Sequence, residues 1–524
     1  MLYDDAVMDF HYVLTPDEMR RTEQMAFDLG VPSILLMEHA AIAVVDELEN
    51  ALGGSCRCKR VLFLCGAGNN GGDGLAAARL FAMRQGIATV YMTGEPKTPD
   101  AKANCQWAYE MGIEIVNLRT LPENELPFMD SGFRLAYDGF VDALLGTGLR
   151  GAPDELTARL IDAANSDAAD GHSPVIAVDI PSGIDGETGA APGAFIRASA
   201  TVTFHAPKRG LYLTDRREAV GQLTIADIGL WEMTYAAGTL TKALHPPLCS
   251  VYTPLALRYL GKRKLNAHKG DCGRVLIYAG KMGMAGAAAM CAQAAVTAGA
   301  GLTTVACEKE IIPILQTLVP NAMCVEIGEA VQNTPAFDVL ALGCGLGQSE
   351  EVWNNIIKLW NPDKKSVWDV DALNLLAKHP MKLGKNAVIT PHPGEAARLL
   401  GKTAEEILSD RFAAAQALSE KYGCTAVLKS DVTVICEMND NGPKFMLNTV
   451  GSPALAKGGS GDALTGILSV LLVQTSSLEA AALACLWHGM AGVVGEEKFG
   501  QRELTTAQLI ACLHEAEQRG RGEK

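Results

Sequence analysis

The chain has 524 residues, 48% of them hydrophobic and 20% charged; this is an ordinary globular mix, and the length calls for two or more domains, since single cores stop growing at about 250–300 residues. The formal net charge is −15, which argues against a nucleic-acid partner, because such proteins show a basic face to the phosphates. A small phosphate-bearing ligand stays open, because backbone N–H groups bind it without a basic surface.

The first segment, "MLYDDAVMDFHY", is acidic and lacks the charged-then-apolar order of an export signal. Thr15 then opens a helix, with Pro16 at its first position and Glu18 completing a capping box. "VPSILLMEHAAIAVVDELEN" predicts a second helix. Strands are predicted at "RVLFLCG", "IATVYMTG", "LAYDGFVDALLGTG", "PVIAVDIPSG" and "ATVTFHAP", with helices at "DGLAAARLFAMRQG" and "DELTARLIDAAN". Strands alternating with helices predict a parallel sheet covered on both faces. Between Thr234 and Pro254 the periodicity fades around a Pro-Pro pair. A junction there divides the chain into domains 1–240 and 241–524.

The second half repeats the alternation. Strands are predicted at "GRVLIYAG", "LTTVAC", "DVLALGCG", "SVWDVDA", "NAVITPHPG", "TAVLKSD" and "VTVICE". The uncharged run from Met284 to Leu302 contains Gln293 and "AGAG", which predicts a buried helix, turn and strand rather than a membrane span. The 14 cysteines are mostly scattered singly, and "CRC" at Cys56–Cys58 lacks a second ligand pair. Small buried thiols in a reducing cytoplasm are the expectation, with no membrane partner. Small-residue helices point to a homo-oligomer.

Two glycine-rich stretches carry the chemistry. "GNNGGDGLAAARL" follows a strand and precedes a helix, so its backbone N–H groups would face an anion at the positive end of the helix dipole. It is neither the dinucleotide fingerprint nor the lysine-bearing phosphate loop. "FVDALLGTGLRG" and "VIAVDIPSGIDGETG" place Asp142 and Asp179 near strand ends, with Ser182 three residues after Asp179. Strand ends of an open sheet converge on one crevice, so Asn70, Asp142 and Ser182 could offer oxygens to a hard cation. The plainer reading is that each acid caps a turn. "KGGSGDALTGILSVLL" sets Asp462 before a strongly apolar helix. There its carboxylate could take a proton from an attacking hydroxyl while the N–H groups hold a transferring phosphoryl group; an ordinary first-turn Asp is the alternative.

"CGAGNNGGDGLAAARL", "VDALLGTGLRG" and "VDIPSGIDGETG" closely resemble the epimerase domain of the NAD(P)H-hydrate repair family, over about the first 230 residues. The resemblance implies a Rossmann-like three-layer α/β domain that holds the hydrated dinucleotide and K+. Carried over, Asn69, Asn70, Gly71, Gly72 and Asp73 would contact substrate. So would Gly146, Thr147, Gly148, Leu149, Arg150, Gly151 and Ala152. Asn70, Asp142 and Ser182 would bind K+, and Asp179 would contact substrate as the acid/base group. Ala67 stands where the family commonly has proline.

"NAHKGDCGRVLIYAG", "LGCGLG", "DVDALNLL", "VITPHPGEAARLLG", "VLKSDVTVI" and the Asp462 loop resemble the hydrate dehydratase branch of the ribokinase-like superfamily, over about residues 255 to 515. A ribokinase-like α/β carboxy-terminal domain is implied. Asp462 would be the base, with the N–H groups of Gly459, Ser460 and Gly461 on the transferring group. Lys429, Ser430, Asp431, Val432, Thr433 and Gly461 would contact an adenine nucleotide, and Ala287, Gly345, His392 and Asp462 the hydrate. Cys344 replaces the usual proline. His392 could instead be a structural loop residue, and Glu395 a helix cap or a metal ligand. Mg2+ is expected, with ADP as donor and ATP not separated from it by the motifs. The implied function is epimerisation of (R) and (S) hydrates of NADH and NADPH, then dehydration of the (S) form. A kinase for a small alcohol such as a vitamin precursor, fused to a dinucleotide-binding module, is the alternative.

Overall fold

A computed structural model describes residues 10–129, 136–169, 173–214, 216–230, 249–263 and 265–522. It divides into two compact units, Tyr12–Pro247 and Leu248–Lys524, the latter together with Met1–His11. The junction expected at 240/241 lies outside the described residues.

In the first unit seven strands form one sheet in the order Glu114–Asn117, Ile87–Met92, Arg60–Cys65, Gly139–Ala143, Val175–Val178, Ala200–Phe204 and Gln222–Ala226. All neighbours are parallel. The strand Arg60–Cys65 shows why its sequence is a continuous apolar run. Val61, Phe63 and Cys65 pack with the helices Ser33–Ala51 and Asn69–Met83 on one face. Leu62 and Leu64 pack with Leu160 and Ile161 of the helix Glu155–Ala169 on the other. Alternate residues point to opposite faces, and both faces are covered. The helix Pro16–Asp28 carries the expected capping box, Glu18 N to Thr15 Oγ1 at 3.1 Å and Thr15 N to Glu18 Oε2 at 2.7 Å. The two edge strands, Glu114–Asn117 and Gln222–Ala226, were not foreseen; both are short and only partly buried.

The second unit is built on a sheet whose seven parallel strands run in the order Met323–Glu326, Leu302–Cys307, Arg274–Tyr278, Val339–Leu342, Lys365–Trp368, Ala387–Ile389 and Thr425–Leu428. The hairpin Thr433–Asn439 and Gly442–Asn448 extends it antiparallel, and Cys249–Tyr252 follows at that edge. The uncharged run resolves into the helix Ala285–Thr297 and the strand Leu302–Cys307. The apolar helix Ser477–Phe499 is long enough to cross a membrane, with mean hydropathy 1.4, yet 89% of its apolar window is buried inside the fold. Its Leu486, Trp487 and Ala491 pack in one core with Leu464, Leu468 and Leu513 of other helices, which explains that apolarity without a bilayer.

Candidate functional site

In the first unit Arg60–Cys65 and Gly139–Ala143 are neighbours, and their continuations lead to strands on opposite sides. That reversal opens a crevice at the carboxyl ends of the strands. "GNNGGDG" lies there, but not as a loop: the helix begins at Asn69, with Gly68 as its N-cap. The glycines serve close approach rather than unusual dihedrals. A Cβ at Gly71 would stand 1.8 Å from Gly66 O, and one at Gly74 would stand 2.5 Å from Ala143 Cβ. Gly71 and Gly72 are buried, and Asp73 is partly so.

Three strand ends meet around Leu145. Its carbonyl accepts from Asn70 Nδ2 at 3.2 Å, and its N–H donates to Ser182 Oγ at 2.8 Å. Ser182 Oγ donates to Asp142 Oδ1 at 2.6 Å and Ser182 N to Asp142 Oδ2 at 2.8 Å. Leu144 N adds a bond at 3.3 Å. Asp142 is fully buried. Burial pushes its carboxyl up to about 6, against the hydrogen bonds from Ser182 and Leu144. So Asn70, Asp142 and Ser182 stand together, and these recorded bonds to Asp142 come from neutral groups. Gly146 backs onto Asn70, at 3.1 Å from Asn70 Cβ for an added Cβ. Gly148, Arg150, Gly151 and Ala152 are exposed, while Thr147 and Leu149 are half-buried.

Asp179 adopts φ +64°, the left-handed region that costs a non-glycine residue about 1–3 kcal/mol. Its Oδ1 accepts from Thr203 Oγ1 at 3.2 Å, from Phe204 N at 3.3 Å, and from the ammonium of Lys208. Lys208 is 1% exposed and was not foreseen; its only signal is a lysine just past a strand end, in "HAPKRG". Burial and the Asp179 charge hold the Asp73 carboxyl well above its ordinary range, and the same two causes raise Glu23.

The second unit has its own reversal at Arg274–Tyr278, between Leu302–Cys307 and Val339–Leu342. Gly280 N donates to Cys344 O at 2.8 Å. Gly345, at φ +66°, is pressed on the next helix: an added Cβ would lie 3.1 Å from Ala287 Cβ. Ala287 and Gly345 are therefore adjacent.

The Asp462 loop starts its helix, Ser460–Gln474, from Gly459 at φ +92°, where an added Cβ would meet Met290 Sδ at 2.2 Å. A glycine is required there both by the dihedral and by the contact. Asp462 sits in the first turn, half-buried. Burial pushes its carboxyl up to about 6, against a hydrogen bond from the Cys344 thiol. Beside it is a pair that centres on Asp369, which sequence reasoning quoted within a motif but did not single out. Asp369 is fully buried; its Oδ1 accepts from Lys429 Nζ at 2.8 Å and its Oδ2 from Thr465 Oγ1 at 2.8 Å. A Cβ on Gly461 would lie 3.6 Å from Lys429 Nζ and 3.7 Å from Asp369 Oδ2. Burial opposes the Lys429 charge, but the Asp369 and Glu395 carboxylates outweigh it and hold its pKa above the ordinary value.

The expected nucleotide segment is tied down by Arg411, also unforeseen, whose Nη1 reaches Asp431 Oδ1 at 2.6 Å and Ser430 Oγ at 3.3 Å. Val432 is fully buried and Thr433 nearly so. Ser460 is also turned inward, 3.2 Å from His488 Nε2. His392 is exposed and caps the helix Pro393–Leu400: Gly394 N donates to its Nδ1 at 3.0 Å, and Glu395 Oε2 accepts from His392 N at 2.9 Å. Glu395 is thus a buried helix cap. Among the described residues no cluster of three or more His, Cys, Asp or Glu side chains has metal-holding geometry.

The family described as YjeF-related protein N-terminus matches residues 33–210, and the family described as NAD(P)H-hydrate dehydratase matches residues 275–515. The bifunctional NAD(P)H-hydrate repair enzyme Nnr of Escherichia coli (strain K12) is 40% identical over 511 residues, covering 96% of this chain and 93% of that protein. The enzyme of the same name from Moorella thermoacetica is 34% identical, with 96% of each chain covered. A crystal structure of an ADP/ATP-dependent NAD(P)H-hydrate dehydratase from Bacillus subtilis, with ATP and Mg2+, is 29% identical, with a TM-score of 0.47 over 51% of this chain and 97% of that one. With two such nearly full-length relatives and a family match in each half, the chain belongs to the bifunctional NAD(P)H-hydrate repair family.

Proposed function

We propose that this chain repairs hydrated NADH and NADPH in two steps, with one unit for each. The observation that carries the reading is the pairing of two strand-end clusters, Asn70–Asp142–Ser182 and Lys429–Asp369–Asp462, within one chain of this family. In the first unit Asp179 moves the proton as the C6 hydroxyl leaves as water and water re-adds on the other face of the ring. A positive iminium-like ring forms in between, and a nearby carboxylate stabilises it. K+ fits beside Asp142, because a buried carboxylate bonded to neutral donors lacks a counter-charge. Asn70, Asp142 and Ser182 would hold it and so fix the three strand ends.

In the second unit Asp462 takes the proton of the C6 hydroxyl of the (S) hydrate as its oxygen attacks the terminal phosphorus of ADP, releasing AMP. The ring nitrogen then expels phosphate, C5 loses a proton, and the dihydropyridine is restored. The N–H groups at the start of the helix Ser460–Gln474 face the transferring group. Mg2+ would come with the nucleotide phosphates and neutralise their charge. Incubating the chain with chemically hydrated NADH and ADP tests the whole reading. The reduced-nicotinamide absorbance should return, with AMP and phosphate formed in equal amounts and both epimers consumed. A small-alcohol kinase would instead leave the hydrate untouched.

The base role sets a pH dependence. Asp462 works ionised, and its carboxyl is raised to about 6, above the ordinary value of about 3.9. Dehydration kcat/KM should therefore fall about tenfold per pH unit below about pH 6, in a pH–rate profile on the (S) hydrate. An acid limb near the ordinary carboxylate value would contradict the assignment.

A further inference from the structure

Lys208 is the buried cation of the first unit, and the chemistry above leaves it without a task. It lies between the strand Ala200–Phe204 and the short helix Arg209–Leu213. Its ammonium donates to Asp179 Oδ1, to Thr203 Oγ1 at 3.2 Å and to Phe204 O at 3.2 Å. An ammonium has three protons, so these partners use all of them inside the protein. Its backbone is pinned as well: Leu14 N donates to Pro207 O at 3.0 Å and Arg209 N to Leu14 O at 3.1 Å. A lysine held in this way cannot swing out to a ligand. It can only act through what it touches.

We infer that Lys208 is a positioning residue for epimerisation, which fixes Asp179 through Oδ1 and leaves Oδ2 as the oxygen that meets the substrate. This rests on the reading of Asp179 as the acid/base group. All three recorded donors, Thr203, Phe204 and Lys208, converge on Oδ1, and among the described residues no hydrogen bond to Oδ2 is found. The left-handed backbone at Asp179, φ +64°, is retained at a cost, as expected where a carboxylate must hold one direction. Asp73, Glu23 and Asp179 would otherwise crowd three acids around one site, and Lys208 supplies the positive charge among them. His205, partly buried on the same segment, is held neutral, with a pKa lowered to about 4 by burial and the Lys208 charge. It therefore does not compete as the cation.

The test uses the full chain with Lys208→Met, Lys208→Arg, Asp179→Asn and the Asp179→Asn/Lys208→Met double variant, with (R)-hydrate conversion followed by chromatography. Lys208→Met should lower epimerisation kcat roughly 10²-fold, with KM within about threefold of the parent. Lys208→Arg should recover part of the loss, because a guanidinium can still donate to Oδ1. The double variant should be no slower than Asp179→Asn alone, since a positioning residue has nothing left to position. Parental kcat for Lys208→Met, a rise in KM without loss of kcat, or additive losses in the double variant would overturn the inference. If Lys208→Met does not fold, the double variant removes the buried pair whole and keeps the comparison with Asp179→Asn decisive. A parental rate for Asp179→Asn removes the Asp179 reading and the Lys208 role together. A slow Asp179→Asn beside a fully active Lys208→Met removes the Lys208 role alone.

Discussion

Asp462→Asn should lose dehydration by about 10²–10⁴-fold, the span that general-base catalysis contributes, while the same chain still epimerises at the parental rate. The substitution keeps the shape of the side chain and keeps an oxygen to accept from the Cys344 thiol. It removes only the capacity to take a proton. The attraction between the Asp462 charge and the helix dipole is worth about 0.3–1 kcal/mol, so the fold should survive. The KM for nucleotide should change little, because Lys429, Asp369 and Thr465 keep their bonds to one another. Single-turnover measurement of AMP release separates this from a binding defect: a base mutant binds and fails to transfer. Parental AMP release by Asp462→Asn would end the base assignment, even if the chain still repaired hydrates.

Much of this was legible because the chemistry sits at strand ends, and strand ends are marked by apolar runs that stop at glycine. "RVLFLC" before "GAGNN" and "VDALL" before "GTG" gave the first site, since a covered parallel strand has to be apolar on both faces. The purpose of the glycines was less visible. Composition suggests flexible loops, but Gly71 and Gly74 lie within a helix and allow it to press on the sheet. Sequence records the missing Cβ, not which neighbour needs the space. Lys208, Asp369 and Arg411 were hidden for another reason. Lysine, arginine and aspartate are usually surface residues, and only the fold shows that Lys208 meets Asp179, that Asp369 meets Lys429 and that Arg411 meets Asp431. His392 was read from its motif as a hydrate contact or a structural loop residue; the fold adds that its Nδ1 caps a helix while the side chain stays exposed. A cap needs only its own neighbours in sequence, so the histidine–glutamate spacing in "HPGE" was the available signal.

Asp142→Asn should abolish potassium dependence and cut epimerisation about 10²–10³-fold, a typical loss when one preorganised electrostatic group is removed. Its effect on stability should run the other way in potassium-free buffer. Asp142 is fully buried and its recorded bonds come from Ser182 and Leu144, so without a cation the folded state carries a carboxylate charge that burial disfavours. Asparagine removes that charge and keeps one acceptor for Ser182. The variant should then melt no lower than the parent without potassium. Adding potassium reverses the order, because a ligand bound only by the folded state stabilises it by about 2.7 kcal/mol at a hundredfold excess over its Kd. The parent's melting temperature should therefore climb with potassium concentration while that of Asp142→Asn stays level. Tetramethylammonium at the same ionic strength controls for screening, since it is too large to enter a site built from Asn70, Asp142 and Ser182. Equal potassium shifts in parent and variant would mean that the ion acts elsewhere. The gathered oxygens would then be a structural knot that ties three strand ends together, and the epimerase chemistry would fall to Asp179 and its surroundings alone.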